Sequence, residues 1–339
     1  MKIKPMTKFA ILALSLVLVA CAGGGSEEAG CPAIDGREIN VVATTPMIGE
    51  FVSQVGGENI NLTVLMPPEA NPHTYEPAPQ DAGTIAEADL VFYTGLLYEP
   101  AALVKLLENS ACSTDILSEV GESVFPIEFK EGGHDDHDDH DDEEGHDDHD
   151  DEEGHDAHEG HNHGAYDPHF WFDPSRVAYA AEYIESRLIQ FDPENESSYT
   201  SSADSFVSEL NDLTKQVSEL ISTVPSQNRK LITTHESLGY LEAKFGLEVL
   251  STIIPSLNSA NEISPSDLAG VIDVIEDNNV KVIFIESEAP SVYSETIVAE
   301  TGIKPVTGLY VETLKPGQSY SEFLISNVKL ITENLQDTD

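Results

Sequence analysis

The sequence predicts an α/β protein with two lobes, each built on a parallel sheet, joined by a long connecting helix with the ligand site in the cleft between them. Three observations carry this. β-Branched apolar runs alternate with helical segments from residue 39 onward, the alternation starts again near residue 230, and one unbroken helical stripe lies between the two sets. Alternating strand and helix patterns mean βαβ units, whose crossovers make a sheet parallel. A chain of 339 residues has length for two domains of about 100 to 200 residues each.

In the first set, Ile39 to Thr44 reads as a strand, Met47 to Val55 as a helix, Ile60 to Leu65 as a strand, Asp81 to Ala86 as a helix and Leu90 to Tyr93 as a strand. The stripe consists of Tyr199, Ala203, Phe206, Leu210, Leu213, Val217, Leu220 and Val224, spaced alternately by four and three, and Pro225 ends it. This helix of about seven turns is expected to connect the lobes; an ordinary core helix of one domain would show the same stripe. In the second set, strands Leu231 to Thr234, Glu248 to Ile253 and Val280 to Ile285 alternate with helices Ser237 to Phe245, Pro265 to Asn278 and Val292 to Thr301, and a helix from Tyr320 to about Leu335 closes the chain. The expected organisation is an export signal over 1–20, a tether over 21–36, an N-terminal lobe over 37–190, a linker helix over 191–226 and a C-terminal lobe over 227–339. Ligands of open α/β sheets bind beyond the carboxyl ends of strands, so the chemistry is sought in strand-end loops.

The composition excludes some classes outright. With 16 Lys and Arg against 62 Asp and Glu, a formal charge of -46 rules out binding nucleic acid or anionic lipid through basic charge. An apolar fraction of 40% is too low for a multispanning membrane protein. Lys2, Lys4 and Lys8 precede the short apolar run Phe9 to Ala20, the order of a secretory signal, and the run is too short to span about 30 Å of hydrocarbon. Its end, Leu18-Val19-Ala20-Cys21, resembles a bacterial lipobox, which implies lipidation at Cys21 and an exported, lipid-anchored protein; a plain cleaved signal is the alternative. In an oxidising compartment the two remaining cysteines, Cys31 and Cys112, are expected to pair.

Residues 131 to 163 hold 17 acidic residues, nine histidines and no Lys or Arg. The histidines are His134, His137, His140, His146, His149, His155, His158, His161 and His163. So polar a segment cannot bury a core and is expected to lack fixed structure without metal, yet its imidazoles and carboxylates suit loose binding of several zinc ions. A merely solvated acidic segment is the plainer alternative. Outside the run stand only His73, His169 and His235, each in a loop following or joining predicted elements. Three imidazoles converging from separate loops would suit a borderline metal such as zinc. On spacing alone, three unrelated histidines remain the favoured reading.

The motifs around them change the balance. Asn71-Pro72-His73-Thr74-Tyr75-Glu76-Pro77, Asp167-Pro168-His169-Phe170-Trp171, Thr234-His235-Glu236-Ser237-Leu238-Gly239-Tyr240 and Leu309-Tyr310-Val311-Glu312-Thr313-Leu314 occur in order along the chain. Together they resemble the zinc and manganese solute-binding lipoproteins of bacterial ABC transporters (cluster A-I), and the histidine-rich insertion resembles that of the zinc-type members. The resemblance implies that His73, His169, His235 and Glu312 ligate a metal, with Glu312 standing where the family usually has Asp. Manganese-type members carry Glu where His235 stands, so three nitrogens and one oxygen favour Zn2+. The implied protein is a monomeric, non-enzymatic receptor that hands zinc to a membrane permease, with a histidine-rich loop that captures or buffers the ion. Glu76, beside the first ligand, and Glu286, at a strand end, are expected to support ligands from outside the coordination shell, and Trp171 and Tyr75 to pack the cleft against water. Competing readings are a surface lipoprotein for zinc buffering or adhesion, a manganese receptor, and a zinc hydrolase. The last lacks a His-Glu-x-x-His pattern, because Gly239 occupies the position of the second histidine.

Overall fold

The computed structural model describes residues 31, 34, 36–68, 70–129, 166–288 and 292–336. The expected export signal, Cys21 and the histidine-rich run His134 to His163 lie outside these residues. Strands β1 (Ile39–Ala43), β2 (Ile60–Val64), β3 (Leu90–Tyr93) and β4 (Leu117–Glu119) form a parallel sheet in the order β2-β1-β3-β4. Its helices are α1 (Pro46–Gly56), α2 (Pro79–Ala86), α3 (Ala101–Ser110) and α4 (Pro174–Phe191). Then come α5 (Glu196–Ser222) and a second parallel sheet, β6-β5-β7-β8, of β5 (Lys230–His235), β6 (Glu248–Ile254), β7 (Val282–Glu286) and β8 (Lys304–Leu309). Helices α6 (Gly239–Phe245), α7 (Pro265–Asn278), α8 (Val292–Thr301) and α9 (Tyr320–Gln336) complete this lobe.

The two-lobed α/β architecture and its long connecting helix are thus as the sequence predicts. Helix α5 buries Tyr199, Ala203, Phe206, Leu210, Leu213, Val217 and Ile221, so the stripe matches the sequence except that Ile221 rather than Leu220 faces inward. It packs on α1 and α4 on one side and on α9 on the other. Four elements were not anticipated. Strand β8 contains Pro305 and Gly308, which read against a strand, but it is the edge of its sheet, where a missing ladder donor is tolerated. Strand β4, also an edge, has three residues and too little periodicity to read. Helix α4 carries a legible start, with Asp173 accepting from the Ser175 amide at 2.9 Å and Pro174 in the first turn. Helix α3 has Pro100 at its start and no side-chain cap. The strand expected to stop at Thr234 runs through His235, so that histidine is the last residue of β5 rather than part of the following loop.

The lobes share one hydrophobic core. A single cluster of buried side chains runs from Ile39 and Val41 in the first sheet through Phe206 and Leu213 of α5 to Leu231, Val282 and Phe284 in the second. At its centre Phe51 of α1 meets Tyr320 of α9 edge-on at 5.2 Å, with Phe170 and Phe206 at 6.1 and 6.3 Å. Aromatic pairs of this geometry contribute beyond their buried area. Each sheet also has a separate cluster on its other face, around Val91 and Leu103 in one and Ile232 and Ile275 in the other.

Cys31 and Cys112 are joined, closing a loop of 81 residues. In the chain-entropy view such a closure stabilises the fold by roughly 4 kcal/mol. Denaturant unfolding of the Cys31→Ser, Cys112→Ser double variant should therefore show a loss of about 2–5 kcal/mol; unchanged stability would remove the bridge from the account.

Candidate metal centre

Each of the three isolated histidines is placed by its own local structure. Asn71 caps a single 3₁₀ turn, Pro72–Thr74, by accepting from the His73 amide at 2.9 Å. Tyr75, behind this turn, donates to Asp81 at 2.9 Å, and Asp81 also accepts from the Ala78 amide at 2.7 Å, fixing the loop to the start of α2. Tyr75 therefore anchors the loop instead of lining the cluster, and burial with Asp81 beside it pushes its hydroxyl up to about 12. His169 precedes the 3₁₀ turn Phe170–Phe172 and is fully buried. His235 ends β5 and is fully buried. Glu312, 1% exposed, follows β8.

These four side chains meet. His73 Nε2 and His235 Nε2 each stand 3.1 Å from Glu312 Oε1, and His169 Nε2 stands 3.5 Å from Glu312 Oε2. One candidate ligand atom from each lies within 4.8 Å of all the others. All three Nε2 atoms and Glu312 Oε1 are buried without a hydrogen-bond partner. Buried polar atoms are normally paired, so four unpaired acceptor-type atoms facing one another form a cradle for a cation.

The opposite edges of the imidazoles are tied down. His169 Nδ1 donates to Asp167 Oδ1 at 2.8 Å, and His235 Nδ1 to Glu286 Oε2 at 2.5 Å. A proton on Nδ1 leaves the Nε2 lone pair free for a metal and makes it more basic. Glu286, 2% exposed, also accepts from the His235 amide at 3.2 Å and from Ser237 at 3.2 Å. Glu286 thus braces His235, whereas Glu76 is exposed and bonded to none of the four among the described residues.

Three supporting groups escaped the sequence reading. Asp167 was quoted only as part of a motif, although an Asp two residues before a histidine and able to accept its amide, here at 2.8 Å, is a recognisable local turn. Tyr98 is 1% exposed and donates to Glu312 at both the backbone oxygen, 2.9 Å, and Oε2, 3.1 Å. Nothing in its sequence neighbourhood signals this, because the contact spans 214 residues. The loop before it is strained: Gly95, Leu96 and Leu97 all have positive φ, 77°, 53° and 64°. Buried Glu99 holds that loop by accepting from the Thr94 and Gly95 amides at 2.7 and 2.9 Å. Glu288 is the third. Burial, with Glu312 and Glu286 nearby, pushes its carboxyl up to about 8.

The electrostatics favour a cation. Burial raises the cost of charge on Glu312, yet the neighbouring imidazoles outweigh it and hold its carboxyl well below the usual range. Burial likewise opposes protonation of His169 and His235, but Asp167 and Glu312 around the one, and Glu286 and Glu312 around the other, raise both above the ordinary imidazole value. The positive charge those protons supply can equally be supplied by a metal.

Hydrolytic machinery does not fit this arrangement. Glu236 accepts from Thr252 at 2.9 Å and does not belong to the cluster. At Gly239 a Cβ would sit 2.7 Å from Asp167 Oδ2, so no larger residue, a histidine included, fits there without displacing the carboxylate that orients His169.

The family described as zinc-uptake complex component A, periplasmic, matches residues 41–334. The manganese-binding lipoprotein MntA of Halalkalibacterium halodurans is 23% identical over 95% of this chain and 94% of its own. The manganese ABC transporter substrate-binding lipoprotein PsaA of Streptococcus anginosus is 26% identical over 98% and 99%. Among solved structures, the periplasmic zinc binding protein TroA of Treponema pallidum superposes with a TM-score of 0.72 at 21% identity, over 88% of this chain and 99% of its own. Fe(III)-bound YtgA of Chlamydia trachomatis gives 0.72 at 24%, over 88% and 98%. The chain belongs to the zinc-uptake complex component A family, and is a metal-binding substrate receptor of an ABC transporter, not an enzyme.

Proposed function

We propose that this receptor carries zinc, bound by His73, His169, His235 and Glu312, and delivers it to the permease of an ABC importer as a monomer held to the membrane by lipid on Cys21. The observation that carries the reading is the set of three Nε2 atoms and one carboxylate oxygen, buried and unpartnered, at the distances of one small cradle. Three nitrogens and one oxygen are the donor set of a tetrahedral zinc site. The orientation of His169 by Asp167 and of His235 by Glu286 supports the same reading, since metal-bound imidazoles characteristically donate their other N–H to a carboxylate.

His73 is the ligand beside open space: a cavity of about 620 Å³ is lined by His73, Leu97, Tyr98 and Asn258. An ion arriving there meets His73 and then the buried trio. Because both lobes belong to one core, capture and release involve a limited movement about α5 and the Phe51 junction. The histidine-rich run His134 to His163 captures or buffers zinc for the tight site.

A manganese receptor is the second reading, favoured by the names of the two relatives. Competitive zinc and manganese titrations of protein lacking residues 134 to 163 separate the readings. Our account expects one tight, zinc-preferring site that loses at least about a hundredfold in affinity in His235→Ala, the upper end of what even a supporting residue costs. Manganese preference would favour the second reading, and no tight site would leave the metal chemistry to the run.

Acidification should weaken the tight site. A protonated Nε2 cannot ligate, and His169 and His235 hold their protons above the ordinary imidazole value of about 6.5, so zinc affinity should start to fall above that pH and continue falling below it. Calorimetry in buffers of different ionisation enthalpy should show protons released on binding at neutral pH; flat affinity between about pH 8 and pH 5.5 would contradict the imidazole assignment.

A further inference from the structure

The two carboxylate oxygens of Glu312 are not alike. Oε1 is buried without a hydrogen-bond partner and stands 3.1 Å from both His73 Nε2 and His235 Nε2. Oε2 lies 3.5 Å from His169 Nε2 and already has a donor, the Tyr98 hydroxyl at 3.1 Å. The same hydroxyl lies 2.9 Å from the Glu312 backbone oxygen, so one phenolic proton is shared between the two ends of a single residue. Tyr98 is 1% exposed, and its ring meets those of His73, Trp171 and His169 edge-on at 5.0, 5.3 and 5.9 Å. Rings on several sides hold the hydroxyl at Glu312.

Tyr98 reaches this position from a backbone that most residues avoid. Leu96 and Leu97, immediately before it, both have positive φ, and non-glycine residues stay there only where surrounding contacts hold them. Those contacts are present. The Leu96 amide donates to Glu119 Oε1 at 2.9 Å, and Glu99, just after Tyr98, accepts from the Thr44 hydroxyl and the Thr94 amide, both at 2.7 Å. Strain of this kind gathers at ligand sites, and here its result is a tyrosine hydroxyl set on one oxygen of one candidate ligand.

We propose that Tyr98 is the positioning residue that makes this site select zinc: it holds Oε2 of Glu312 and so limits that carboxylate to one oxygen, Oε1, on the ion. The inference rests on the cluster being the metal site. A carboxylate can give a cation one oxygen or two. With Oε2 held by a phenol, which is protonated at neutral pH, three imidazoles and Oε1 make the four donors of tetrahedral zinc. Released from Tyr98, Oε2 has only a short way to move, since it already faces His169 Nε2. As a fifth donor it would suit manganese, which favours oxygen and a larger shell, more than zinc. The hydroxyl acts by what it withholds from the ion.

Tyr98→Phe in the full chain removes the hydroxyl and keeps the ring. Zinc and manganese are titrated in competition, and binding that persists in His235→Ala is set aside as metal held outside the cluster. The preference of Tyr98→Phe for zinc over manganese should be about tenfold weaker than that of wild type. Cobalt(II) absorbs intensely when four-coordinate and weakly when five- or six-coordinate, so the His235-dependent bands should be intense in wild type and weak in Tyr98→Phe. Thermal unfolding without metal measures separately what the lost hydrogen bond does to the fold. An unchanged preference, equal losses for both ions included, or an unchanged cobalt spectrum would make Tyr98 a structural tie only and overturn the inference. Should the variant fail to fold, wild type decides: its zinc-loaded crystal structure should show Oε1 on the ion and Oε2 on Tyr98, and both oxygens on zinc would overturn the inference. Those results leave the receptor reading intact, whereas absence of any His235-dependent metal binding would overturn that reading and this inference with it.

Discussion

Three imidazole nitrogens and a carboxylate oxygen that face one another, all buried and all lacking a donor, form the constraint on which the rest of this structure depends. Such an arrangement is unfavourable in the absence of a positive charge, so surrounding groups must hold it in place. Asp167 and Glu286 do so from behind two of the imidazoles, Asn71 from the amide of the third, and Tyr98 from the backbone and side chain of Glu312. Each brace acts through a hydrogen bond: Glu286 from a strand end, Asn71 from a capped turn, Tyr98 from beside a strained loop and Asp167 from two residues before His169. The site is therefore preorganised, and an arriving ion need order few additional groups.

The same constraint gives the fold its shape. The four donors come from both sheets, and they keep register only if the sheets do. One core common to both lobes, threaded by α5 and centred on Phe51, Phe206 and Tyr320, provides that rigidity. Polar ties add to it across the cleft: Trp171 Nε1 donates to the Val311 oxygen at 2.9 Å, and the Tyr320 hydroxyl donates to the Trp171 oxygen at 2.7 Å. Trp171 thus packs beside His169 and also ties the lobe that carries His169 to the segment that carries Glu312.

Much of this was legible in the sequence because it is written in local patterns. The βαβ alternation, the four-three stripe of α5 and the histidine motifs are all short-range signals, and the structure keeps them. What escaped has identifiable physical causes. Strand β8 is masked by Pro305 and Gly308, which only its edge position makes acceptable. Leu220 and Ile221 are adjacent, so a stripe read by spacing alone cannot choose which of them turns inward. Glu76 and Glu286 looked alike as acidic residues near motifs, and only the fold separates the exposed one from the one that braces His235. Tyr98 acts through a contact made by long-range folding, which no window of sequence contains.

The most direct test of the account is anomalous diffraction at the zinc absorption edge from crystals of the full chain grown with one equivalent of zinc. The account predicts one dominant peak enclosed by His73, His169, His235 and Glu312. A cluster with no peak, with zinc found only elsewhere on the chain, would contradict it.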